Sequence, residues 1–90
     1  MKPAARRHAR EYALQAMYQW QIAQTSITDL EFQFLTQEIK KKTDLDYFKE
    51  LIHAIPQQCN EIDNILIPYL RRSLDELDPI ELAVLRIAAY

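Results

Sequence analysis

Ninety residues carrying a formal net charge of −2 and a single cysteine make at most one small domain, with no internal disulfide and no multi-cysteine zinc site. Apolar and charged fractions are those of a folded domain, yet glycine, usually about 7% of a chain, is missing altogether. That absence removes every glycine-rich phosphate loop and makes tight hairpins costly, so an all-α fold, a small helical bundle, is expected.

Charge is unevenly placed. Lys2, Arg6, Arg7 and Arg10 give the first ten residues +4 with no acid, which leaves −6 for residues 11–90. A basic arm on an acidic body suits nucleic acid or another anionic surface. No apolar run reaches the roughly 18 residues of a membrane span, and no signal-peptide core follows the basic start. A cytoplasmic protein without a membrane partner is the expectation.

The first helix is expected to start at Pro3, whose fixed φ suits a first helical position. Ala9, Tyr12, Ala13, Ala16 and Trp20 recur at the spacing of one helix face and predict its core stripe, with Met17 at the edge. On a helical wheel Arg6, Arg7, Arg10, Leu14 and Tyr18 share the flank beside that stripe. Helix energetics disfavour cations there, because a helix N-terminus already carries partial positive charge and each one costs roughly 0.3–1 kcal/mol. Arg6 and Arg10 repel at i, i+4, an effect that Arg7 with Glu11 partly offsets. A phosphate backbone, which the free amides of the same turn also suit, explains the cluster better than solvation does. Tyr18 on this flank can stack on an unpaired base, or can equally be buried by a neighbouring loop.

Residues 23–29 read as a loop with Ser26, Thr28 and Asp29 as N-cap choices, followed by a short helix turning Leu30, Phe32, Phe34 and Leu35 inward. Lys40, Lys41 and Lys42 read as a solvated connection. Asp44 can cap a long helix in which Leu45, Phe48, Ile52, Ile55, Cys59, Ile62 and Leu66 keep a 3–4 spacing. Pro56 interrupts the backbone but not the apolar phase, so one kinked helix is predicted. Pro68 opens a further helical piece, PYLRRSLDEL, whose Tyr69, Arg71 and Arg72 form a second, weaker basic and aromatic group. In DPIELAVLRIAAY, Asp78 is the N-cap, Pro79 the first helical residue, and Glu81 stands where a capping box closes. The helix after it is apolar nearly all round and needs cover. A longer protein or another chain is expected to supply that cover, and apolar surface on residues 82–90 leaves room for self-association.

No catalytic group is recognisable. His8 and His53 lack a ligand set, so no metal site is expected, and Cys59 reads as an inert core thiol.

MKPAARRHAREYALQAMYQW at the start and PYLRRSLDELDPIELAVLRIAAY at the end resemble the bacterial NusB family of transcription antitermination factors. The resemblance runs through all ninety residues; members of the family continue beyond this length. It implies an all-α, NusB-like fold of two helical subdomains: residues 1–66 as the first and 67–90 as the start of the second. It also implies a non-enzymatic factor without cofactor, which binds the boxA element of ribosomal RNA leaders together with NusE, the ribosomal small-subunit protein, within the RNA polymerase antitermination complex. Carried over by position, Lys2, Arg6, Arg7 and Arg10 are RNA-binding, and Tyr18 and Glu81 stand where the family contacts RNA and NusE; Tyr69 and Arg72, from the second basic and aromatic group, are added to the RNA-binding set. His8 departs from the expected basic run. Two other roles compatible with the residues are an RNA-binding domain appended to a ribosomal RNA methyltransferase, and a module whose arginines bind an acidic protein.

Overall fold

The structure, a computed structural model, describes residues 3–38 and 42–90. Lys2, Lys40 and Lys41, which carry sequence expectations of their own, lie outside the described residues. Helix α1 runs from Pro3 to Ala23, beginning at the proline as its geometry predicts. Its row of Ala9, Ala13 and Ala16 is fully buried together with Met17. Small side chains on one face let neighbouring helices approach closely, and α1 accordingly packs against two of them, α3 and α5. Tyr12, Leu14 and Trp20 are partly buried against the same core.

Gln24 ends α1 in a left-handed conformation, φ 55°, with its amide donating to Trp20 O at 2.9 Å. A chain without glycine must place another residue at this position, at a steric cost of roughly 1–2 kcal/mol. The loop is shorter than the sequence suggests. Ser26 is the N-cap and accepts from Asp29 N at 3.2 Å, and α2 (Ile27–Gln33) follows directly, so Thr28 and Asp29 are helical. A π-helical turn continues over Phe34–Glu38. Leu30 and Phe34 are buried, but Phe32 is 70% exposed and does not pack inward. In so short a helix, residues 30 and 34 share a face and 32 points about 200° away, so all of them cannot face one core.

Helix α3 (Leu45–Gln57) is capped by Asp44, which accepts from Tyr47 N at 3.0 Å, while the Asp44 amide donates to Ala5 O of α1 at 3.1 Å. Phe48, Leu51, Ile52 and Ile55 are fully buried, and Phe48 meets Phe34 with ring centroids 5.8 Å apart. Fully burying one such side chain stabilises by about 1.5–3 kcal/mol. Leu45, at the first turn, is 43% exposed, so the inward pattern starts at Phe48. The kink expected at Pro56 is realised two residues later as a break. Gln58 leaves helical geometry at φ −103°, ψ 16°, and α4 (Cys59–Leu66) resumes with Ile62 N donating to Gln58 O at 2.9 Å. Ile62 continues the buried face, which keeps the two helices in one apolar register.

Residues 68–77 do not form the expected helical piece. Ile67–Tyr69 and Leu74–Glu76 are single 3-10 turns, with extended backbone at Leu70 and Ser73. Helix α5 (Pro79–Ala89) begins with Asp78 Oδ1 accepting from Ile80 N at 2.8 Å, the expected N-cap. It runs antiparallel to α1, with Pro79 near Gln21 and Ile87 near Arg10. Ala83 is buried on its inner side, while Ile80, Val84 and Tyr90 are substantially exposed. The fold is all-α, with no strand among the described residues.

Candidate nucleic-acid interface

Three of the basic residues singled out in the sequence, Arg6, Arg7 and Arg10, stand exposed in the first two turns of α1, a helix with no acid in its first turn. Their environments differ. The Arg6 guanidinium lies over the ring of Tyr47, 3.8 Å from its centroid. Arg7 and Arg10 edge a groove of about 540 Å³ that is also lined by Leu14 and Tyr47 and, from the α5 side, by Val84, Ile87 and the Tyr90 that follows the helix. Leu14 therefore belongs to the α1–α5 junction and not to a free basic strip.

The Glu11 carboxylate lies 3.6 Å from His8 Nδ1 one helical turn back, and Glu11 also lines the groove beside Arg7 and Arg10. His8 so acquires a local role, an exposed contact that is ionic only when the imidazole is protonated. His53 likewise meets Glu31 Oε1 at 3.0 Å, tying α3 to α2.

Tyr18 is partly exposed, but it lines a separate groove with Gln19, Ile22 and Gln33. It sits eight residues past Arg10, about 12 Å along the axis at 1.5 Å per residue. Sharing a flank on the helical wheel does not bring it to the arginines. The second basic and aromatic group is open to solvent, with Tyr69 84% exposed in its 3-10 turn and Arg71 and Arg72 exposed beside it. Arg72 Nη2 lies 3.6 Å from Glu81 Oε2, so a residue assigned to RNA and one assigned to a protein partner face each other. The Glu81 carboxylate thus turns toward the 70–73 segment. Both side chains remain more than half exposed, and a surface pair of this kind contributes little.

The two ends of α1 thus carry different surfaces: Arg6, Arg7, Arg10 and Tyr47 at one, and Tyr18 with the start of α5 at the other. Gln21 joins the latter, donating to Pro79 O at 2.8 Å and accepting from Arg86 Nη1 at 3.0 Å. Tyr47 and Arg86 escape a sequence reading, because their partners lie 41 and 23 residues away. No local spacing records such a pair.

Among the described residues no group of three His, Cys, Asp or Glu side chains could hold a metal ion, and no helix is long and apolar enough to cross a membrane. Burial pushes the Cys59 thiol up from its ordinary value; Arg86 opposes this and Asp63, 3.7 Å from the sulfur, adds to it. A thiol held protonated is a poor nucleophile and a poor metal ligand.

The sequence model of the NusB family matches residues 7–90. Over all ninety residues the chain is 54% identical to a transcription antitermination protein NusB of Idiomarina loihiensis, 50% to one of Escherichia coli and 47% to one of Edwardsiella ictaluri. It spans 65% of the length of each of these relatives.

Proposed function

The chain belongs to the NusB family, and on that premise we propose that it is an antitermination factor acting by binding RNA. The proposed ligand is the boxA element of ribosomal RNA leader transcripts, bound together with NusE in the antitermination complex of RNA polymerase, in the cytoplasm. The proposal assigns no catalysis: RNA is held, not transformed.

The observation that supports it is the exposed triplet Arg6, Arg7 and Arg10 at a helix N-terminus that electrostatics would fill with acids. Three guanidinium groups gather within two turns, and arginine's planar fork suits phosphate oxygens. Lys2 extends the same charge in the sequence. Tyr69 and Arg72 offer a second, open platform for a base and a phosphate. Tyr18 and Glu81, at the opposite end of α1 and the start of α5, suit the protein partner.

Replacing Arg6, Arg7 and Arg10 together by alanine tests the reading. Binding of a boxA RNA oligonucleotide, followed by fluorescence anisotropy from low to high salt, should weaken. The log–log salt slope should flatten by about 2, the value for three lost single-strand phosphate contacts. An unchanged slope sinks the assignment of the arm to the RNA backbone.

A further inference from the structure

We propose that Tyr47 is a positioning residue for RNA binding, holding the Arg6 guanidinium flat so that its N–H edges are set in advance for a phosphate. The inference deepens the RNA reading above and rests on it.

An arginine loses rotamer freedom when it grips a phosphate, and a side chain already held in place loses less. Arg6 is so held: its guanidinium carbon sits 3.8 Å from the Tyr47 ring centroid, well inside cation–π range. Stacking occupies only the face of the guanidinium. Its five N–H donors lie in the guanidinium plane, off the ring face, and among the described residues none is in an ion pair.

The backbone around the pair is pinned on both sides. Asp44 N donates to Ala5 O at 3.1 Å, fixing the residue before Arg6 to the start of α3, and Asp44 Oδ1 accepts from Tyr47 N at 3.0 Å. Asp44 itself is buried. One capping residue therefore holds both partners of the stack in place. Arg7 and Arg10 line the groove that Tyr47 also lines, so the ring that carries Arg6 shares a groove with the other two arginines.

The test is a double-mutant cycle read by boxA RNA affinity, with far-ultraviolet circular dichroism confirming the fold of each variant. Tyr47→Phe keeps the ring and should bind within about two-fold of the parent. Tyr47→Leu should bind about two- to five-fold more weakly, the loss of an exposed cation–π contact. In an Arg6→Ala background the same Tyr47→Leu change should have no further effect. Its salt slope should match the parent, because Arg6 still reaches its phosphate, whereas Arg6→Ala should flatten the slope. Tyr47→Met, which fills the volume without a π face, serves the same purpose should the leucine variant not fold. Equal losses from Tyr47→Leu with and without Arg6, or no loss where Arg6→Ala weakens binding, overturns the positioning role. If the triple arginine variant binds as tightly as the parent, the RNA reading itself fails, a distinct result.

Discussion

Arg86 and Asp63 form a side-on bidentate pair: Nε donates to Asp63 Oδ1 at 2.9 Å and Nη2 to Oδ2 at 2.8 Å. Arg86 is only 9% exposed, and its remaining Nη1 donates to Gln21 Oε1, so one arginine links α5, α4 and α1. Such a pair adds little over a well-packed apolar replacement, but removing one partner strands a buried charge.

Asp63→Ala or Arg86→Ala should therefore destabilise by about 3 kcal/mol, lowering the melting temperature by roughly 4–8 °C per kcal/mol in a domain of this size. The paired change Asp63→Leu with Arg86→Met should recover most of that loss, to within about 1 kcal/mol of the parent. Urea unfolding of the four proteins measures it. Additive losses in the double variant would mean that the two residues act independently, against the geometry.

Phe34→Ala should cost about 3–5 kcal/mol, since Phe34 is buried against Phe48, whereas Phe32→Ser should be near neutral. Thermal unfolding of the two variants separates the inner from the outer face of the α2 segment. Similar losses for both would place Phe32 in the core after all.

The starts of α3 and α5 were legible because their signals are local: Asp44 and Asp78 each accept from an amide two or three residues ahead. At α2 the same signal left three choices, and the structure selects Ser26 over Thr28 and Asp29. The buried face Phe48–Ile52–Ile55–Ile62 was legible for the same reason, through its period. Phe32 falls outside the core because two steps of 100° separate it from both Leu30 and Phe34, which apolarity alone does not register. Residues 68–77 looked helical by composition, yet they make only two isolated turns, in a segment where Leu70 and Ser73 are extended. At the site, the exposed arginines were readable from charge alone. Their division was not: Tyr47 under Arg6, and the 12 Å or so that separates Tyr18 from Arg10, depend on which helix packs where.

The raised Cys59 pKa gives a pH dependence with a definite sign. Desolvation, the main cause, favours the protonated thiol in the folded state, so the unfolded chain ionises first as pH rises past the ordinary value of 9.0. The stability held by this group is fully present below that pH and is lost as pH climbs through the higher folded value. Tyr90, raised chiefly by its hydrogen bond to Glu50, shifts in the same direction, so the informative quantity is a difference. Cys59→Ala should differ from the parent by a constant amount up to about pH 9 and then gain on it in more alkaline solution. A pH-independent difference up to the alkaline limit of folding would exclude the shift. Alkylation of the folded protein by iodoacetamide at neutral pH should also be slower than that of the urea-unfolded chain.

Gln24→Gly tests the consequence of a chain without glycine. Gln24 holds φ 55°, the only left-handed residue among those described, and its amide closes α1 onto Trp20 O. An L-residue there bears a Cβ clash worth roughly 1–2 kcal/mol, which glycine removes. Glycine also gives the unfolded chain more freedom, which takes back about 0.4–1 kcal/mol. The steric term is the larger, so the variant should be more stable by up to about 1 kcal/mol, a rise of roughly 4–8 °C in melting temperature at most. Gln24→Ala, which keeps the Cβ, should leave stability unchanged within about 0.5 kcal/mol and serves as the control. If glycine destabilises while alanine is neutral, the left-handed end of α1 is not formed in solution, and the helix must close in another way.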